Sequence, residues 1–269
     1  MGIAKSPRLV LKAHGWTSAA EAAEAGGRYS DALVLTLVHH RIGAELWARR
    51  GSGTFFPAGL RMLEAQSGHR VLNDEAGVTV YETDPTTRFA SANATAVRGI
   101  SSQHFVETFR KTVSSSRTLT DRARVSIDLF NASFFEPAED MRLVVLVIAV
   151  EALLDLAPRS PEATALVDGF IAAVREAPLP PSDQASLKGA LCWLRRESIR
   201  GAGRRLAMEH LGKRTYEGRA APEFFAHCYD LRSELVHGGD IRKARQRAGA
   251  AVAQLEVFTA DLIFAKCAS

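Results

Sequence analysis

From Leu119 to the C-terminus, Pro and Gly cut the chain into segments of helical length, and this punctuation constrains the fold more than any other feature. The segments are Thr120 to Phe134, closed by Pro137; Glu139 to Leu156, closed by Pro158; Glu162 to Glu176; Asp183 to Arg196; Ile199 to Leu211; Pro222 to His237; and Ile241 to Ala265. Within Pro222 to His237, Phe224, Cys228, Leu231 and Leu235 fall at i, i+4, i+7 and i+11, so they form one apolar stripe along a helix. Such stripes are buried against one another. The predicted fold class is therefore mainly α, with a helical domain over residues 119–269.

A smaller α+β region of undefined role is predicted over residues 1–118. Ser18-x-x-Glu21 is a capping box that opens a short helix, and Gly26-Gly27 reads as its stop. Ser30 then introduces a second helix through about Arg50, ended by Gly51-Ser52-Gly53, and a short helical run follows Pro57 to Gln66. His69 to Leu72 and Val78 to Glu82 bracket turn-rich Asn73 to Gly77, which predicts a β-hairpin. A strand is expected near Arg88 and a helix near Phe105 within an otherwise weakly periodic stretch.

Composition narrows the class. Hydrophobic residues at 46% and charged residues at 24% match ordinary globular domains, and 269 residues can build a core without disulfide or metal staples. The longest apolar run, Leu143 to Val150, is far short of the ~20 residues that span a bilayer, and the N-terminus carries no secretory pattern. The expectation is a cytoplasmic protein with no membrane partner. Cys192, Cys228 and Cys267 fit neither a disulfide framework nor a zinc pattern, so they read as reduced thiols. No P-loop, GxSxG or dinucleotide fingerprint occurs, and His39-His40 with Glu45 lacks metalloprotease spacing, so no metal or cofactor is expected.

The formal net charge is +4, but Lys188 to Arg247 holds fourteen Lys and Arg against seven Asp and Glu. Its densest run, Arg195, Arg196, Arg200, Arg204 and Arg205, could line a path for RNA or a nucleotide, because a positive field attracts polyanions. A solvated helical surface is the competing reading.

The chemistry-bearing residues sit at the end of the Pro222 to His237 helix. Phe225, Tyr229, Arg232 and Val236 share a flank beside the apolar stripe, which puts Arg232 at the edge of the buried face. His237 follows five residues later, about 140° around the helix, and Gly238-Gly239 stops the helix behind it. Glu151 interrupts the apolar stretch Leu143 to Leu154. A carboxylate there needs a partner, so it either orients an arginine such as Arg232 or forms an ordinary ion pair between helices.

The segment Phe224-Phe225-x-x-Cys228-Tyr229-x-Leu231-Arg232-Ser233-x-Leu235-Val236-His237-Gly238 resembles the Apea-like branch of the HEPN superfamily, marked by Arg-x4-6-His near a helix end. Glu197-Ser198-Ile199 and Glu151-Ala152-Leu153-Leu154 are also similar to that family, and the likeness covers roughly residues 120–265. The resemblance implies a helical domain that forms a homodimer and, in many members, a metal-independent endoribonuclease site built from Arg232 and His237 of both subunits. It implies supporting roles for Ser233, Glu151 and Tyr229, and a stress or defence setting. Ser233 stands where active members often carry Asn, Asp or His; a hydroxyl can hydrogen-bond a phosphate but supplies no charge. The alternative is a catalytically silent HEPN module for RNA or nucleotide binding, dimerisation or scaffolding.

Overall fold

A computed structural model of the chain describes residues 11–44, 57–73, 79–81, 87–90, 101–114, 118–238 and 241–268. Among these residues the helices are α1 (Ala19–His39), α2 (Pro57–Ser67), α3 (Ser102–Ser114), α4 (Asp121–Ser133), α5 (Glu139–Ala152), α6 (Pro161–Glu176), α7 (Pro181–Trp193), α8 (Ile199–Leu211), α9 (Ala221–His237) and α10 (Ile241–Ala268). The strands are β1 (Val71–Asn73), β2 (Arg88–Ala90), β3 (Thr215–Tyr216) and β4 (Arg219–Ala220). The fold is mainly α, as its punctuation predicts.

Four helix starts, those of α1, α4, α6 and α8, are set by side-chain caps. Ser18, Thr120, Ser160 and Ser198 each accept a hydrogen bond from a backbone N–H three residues on, which satisfies a donor the helix itself leaves free. α10 is the central element and packs on α1, α4, α5, α8 and α9. Its Leu255, Phe258, Leu262 and Ile263 are fully buried beside Phe224 and Phe225 of α9 and Leu143, Leu146 and Val150 of α5. By length and composition the stretch Arg242–Cys267 is also apolar enough to cross a bilayer, with a mean hydropathy of 1.4. In the fold its apolar residues fill the bundle core.

Three N-terminal expectations are corrected. Gly26-Gly27 does not stop a helix: α1 runs unbroken to His39. A helical glycine costs only ~1 kcal/mol relative to alanine, and burial of Ala25, Ala32, Val34, Leu35 and Val38 outweighs that. The helix expected to run to about Arg50 ends instead at His39, with residues 42–44 already non-helical; Arg50 and Glu45 themselves lie outside the described residues. Among the described residues the expected hairpin is also absent: residues 79–81 are not strand, and β1 pairs in parallel with β2, Val71 opposite Arg88 and Asn73 opposite Ala90. Parallel pairing needs a long crossover rather than the tight turn of a hairpin, and residues 74–78 lie outside the described residues.

Two bundle helices end earlier than expected. α5 closes at Ala152, where the N–H groups of Leu153 and Leu154 donate to Val150 and Glu151 carbonyls three residues back and tighten the last turn. α7 closes at Trp193, so that Arg195 and Arg196 leave the helix and pair with residues 157–159. A short β3–β4 hairpin precedes α9 and was not anticipated; its turn residues Glu217 and Gly218 both have positive φ, the geometry of a tight hairpin turn.

Although α1 precedes residue 118, its Val34, Leu35 and Val38 lie in the same core as α4, α5 and α10. Asp31, 4% exposed, fastens that contact: its carboxylate accepts from Leu119 N–H at 3.2 Å and pairs with Arg124 at 2.8 Å. Asp31→Ala is expected to lower unfolding free energy by about 2 kcal/mol in a urea titration, because it leaves a buried donor and a guanidinium unmatched.

Candidate functional site

α9 arranges the sequence-predicted residues by its own geometry. Phe224, Cys228 and Leu231 are buried, and Leu235 packs at the core margin. The adjacent flank rises out of the core along the helix: Phe225 is buried, Tyr229 half-buried, Arg232 largely covered and Val236 exposed. His237 is exposed in the last turn, and Gly238, with φ of +100°, ends the helix. A positive φ at this position suits glycine and explains the sharp stop.

Glu151 and Arg232 meet as expected. Glu151 Oε1 lies 3.8 Å from Arg232 Nε, and the two side chains are only 19% and 21% exposed. Neither of these two atoms makes a hydrogen bond, so the contact is charge against charge rather than a fitted fork. Burial pushes the Glu151 carboxyl above its ordinary range, and the Arg232 guanidinium partly offsets this.

The arginine run behaves differently. Arg195 pairs with Asp168, Arg200 with Asp230 through two hydrogen bonds of 3.0 and 3.1 Å, Arg204 with Glu223, and Arg205 with Glu197. Arg196 donates to the Leu156 carbonyl, and Arg205 also holds the Asp155 carbonyl. Arg195, Arg196 and Arg205 thus secure the chain segments that flank α6 and α7. Asp168 lies outside the Lys188 to Arg247 window, as do Asp261 and Asp140, which hold Arg214 and Arg245. Partners from elsewhere in the chain therefore offset much of the positive charge counted along the sequence.

Arg200 and Arg204 line an open cleft of about 280 Å³ with Glu223, Ala226, His227 and Asp230. Burial lowers the His227 pKa, and nearby Arg219 adds to the effect. Sequence reasoning gave His227 no role in such a cleft. Its signal was the spacing Glu223, His227, Asp230 and Glu234 at i, i+4, i+7 and i+11, a polar ridge opposite Arg200 and Arg204, themselves four apart on α8. On α9, Arg232 lies about 140° from His227, and His237 falls near the cleft side of the helix. The structure thus joins Arg232 to Glu151 and Arg200 and Arg204 to His227, on different flanks of one helix.

His39 and His40 close α1 against aromatic rings, His39 with its centroid 4.5 Å from Phe264 and His40 5.7 Å from Phe105. Burial lowers the pKa of both. Among the described residues no group of three or more His, Cys, Asp or Glu side chains is placed to hold a metal ion. Cys228 is buried, whereas Cys192 and Cys267 are half-buried; all three are free thiols. No protein-family model, curated protein or solved structure matches this chain.

Proposed function

We propose that this chain is a HEPN-type, metal-independent endoribonuclease acting on single-stranded RNA, with Arg232 and His237 as its catalytic residues. The observation that carries the reading is the pairing of a largely covered Arg232 with Glu151 at one level of α9 and the exposure of His237 at the helix end. Guanidinium stays charged and binds phosphate oxygens, so Arg232 holds the scissile phosphate and stabilises the added charge of the pentavalent transition state. Neutral His237 takes the proton from the ribose 2′-hydroxyl. The 2′-oxygen bonds to phosphorus, the bond to the 5′-oxygen breaks, and that oxygen leaves with a proton from a protonated imidazole or water. The products are a 2′,3′-cyclic phosphate and a 5′-hydroxyl end.

Because the two residues project about 140° apart, Arg232 of one copy acts with His237 of another, and a homodimer is the working unit. Glu151 orients Arg232, Ser233 contributes a hydroxyl toward the phosphate, and Tyr229 supports the arginine from one turn earlier on the same flank of α9. Incubation with single-stranded RNA in excess chelator tests the reading. Wild type is expected to yield cyclic-phosphate ends, and His237→Ala to cut about a hundredfold more slowly or less. Intact RNA with the folded wild-type dimer, or equal cutting by His237→Ala, would overturn it.

The ion pairs of the arginine run favour a second reading, a catalytically silent RNA- or nucleotide-binding or scaffolding module. Arg200 and Arg204 are held by carboxylates, so neither offers an unmatched charge to a polyanion. That reading predicts RNA binding without cleavage, or no RNA binding at all.

A further inference from the structure

The cleft between α8 and α9 balances its charges. Arg200 and Arg204 line it from α8, and Glu223, His227 and Asp230 from α9, with the buried Ala226 among them. The two Arg–carboxylate pairs cancel, and Glu234, one turn beyond Asp230, is paired with Arg247 of α10. Burial, by lowering its pKa, keeps the His227 imidazole uncharged at neutral pH. A recess with no unmatched positive charge does not concentrate phosphate. It suits an uncharged, planar group that makes hydrogen bonds.

The paired groups keep hydrogen-bonding capacity. Arg200 makes two bonds to Asp230, and Arg204 one of 2.8 Å to Glu223. Each carboxylate offers about four lone-pair sites and each guanidinium more N–H donors than it uses here, so both retain spare positions. All four side chains are about half exposed, and a ligand reaches them without opening the bundle. The spare acceptors belong to α9 and the spare donors to α8. Guanine carries the matching division: its N1–H and N2 amino group donate side by side, while O6 and N7 accept, the pair that arginine meets bidentately. Adenine and cytosine present only an amino donor, and uracil only one N–H. An imidazole face such as that of His227 stacks on a base.

The cleft also lies in line with His237. That residue stands seven positions beyond Asp230, two helical turns and about 10 Å on, on the same side of α9. A stacked strand rises ~3.4 Å per nucleotide, so a strand within reach of His237 sets a base about three nucleotides away in the cleft.

We infer that the α8–α9 cleft is a guanine-reading subsite for single-stranded RNA: Glu223 and Asp230 accept from N1–H and the N2 amino group, Arg200 and Arg204 donate to O6 and N7, and His227 stacks on the ring. The inference rests on single-stranded RNA being the substrate. It makes these arginines readers of a base rather than holders of phosphate, and it gives the site a sequence preference.

The test uses the full chain carrying His237→Ala, so that RNA stays intact. Short labelled strands of uridine with one central guanosine, inosine or adenosine are titrated by fluorescence anisotropy. The guanosine strand is expected to bind about tenfold more tightly than the other two, inosine lacking only the N2 amino group. Glu223→Gln with Asp230→Asn, both at exposed positions and checked by circular dichroism, is expected to erase that preference. His227→Ala should weaken binding of the guanosine strand about tenfold, and His227→Phe, which keeps a stacking face, should restore most of it. Equal affinity for the three strands, or a preference that survives the carboxylate variant, would overturn the proposal. Guanosine monophosphate binding as tightly as the guanosine strand would overturn it in favour of a free nucleotide. RNA cut by the wild type without regard to guanosine sinks the subsite alone, whereas guanosine-selective binding by a chain that cuts no RNA sinks catalysis and leaves the subsite standing.

Discussion

Gly203→Ala is expected to destabilise the protein by about 3 kcal/mol, although alanine is the better helix former. A Cβ built at Gly203 of α8 would stand 1.9 Å from Phe225 Cε1 and 2.3 Å from its Cζ. Phe225 is fully buried and stacks towards Phe258, with centroids 6.4 Å apart, while its neighbour Phe224 lies 5.6 Å from the same ring. The phenyl group cannot retreat without disturbing α10, so α8 must move off α9. The expected drop in thermal midpoint is roughly 6–12 °C for a domain of this size. Gly189→Ala is the control: nothing lies within 4 Å of its added Cβ, and there alanine should stabilise by about 0.5–1 kcal/mol. Equal effects from the two substitutions would contradict close packing of α8 on α9.

Arg232→Met should produce the second large effect, because it leaves Glu151 covered and without its counter-charge. Breaking such a pair from one side costs more than the pair contributes, and with about a fifth of each side chain still in water the expected loss is about 2–3 kcal/mol at neutral pH. The pH dependence has a definite sign. Burial raises the folded-state pKa of Glu151, so its folded form takes up a proton more readily than the unfolded chain, and the cost of the carboxylate grows as pH rises through that value. Removing Arg232 raises it further. The deficit relative to wild type should therefore be greatest near pH 7.5 and shrink as pH falls towards the ordinary carboxylate range near ~4.3, which parallel denaturant titrations would read. Glu151→Leu with Arg232→Met should recover most of the stability. If Arg232 is catalytic as proposed, RNA cleavage stays depressed by about a hundredfold or more in that stable double variant. Recovery of cleavage along with stability would reduce Arg232 to a structural role.

The helical part of the fold was legible because its signals are local. Pro137, Pro158 and Gly238 end segments by dihedral and hydrogen-bonding constraints that act within a turn, and the stripe Phe224, Cys228, Leu231 depends only on 3.6-residue periodicity. The same local reading misjudged Gly26-Gly27, where the burial of Val34, Leu35 and Val38 against distant helices outweighs a small propensity cost. It also missed the parallel pairing of β1 with β2, since strand partners across a long connection leave no mark at short range. α7 ends early because Arg195 and Arg196 are drawn into pairing with residues 157–159, a contact about forty positions away in sequence.

At the site, the sequence by itself determined which residues stand where along α9: Arg232 at the margin of the apolar stripe, and His237 in the last turn before a glycine stop. Those positions follow from helix geometry and need no neighbours. Only the tertiary structure decided what each residue meets. It set Glu151 beside Arg232, gave Arg200 and Arg204 carboxylate partners, and placed His227 in their cleft. The reason is physical: charge pairing and burial are fixed by distance through space, and the groups that neutralise an arginine or cover a leucine can come from anywhere in the chain.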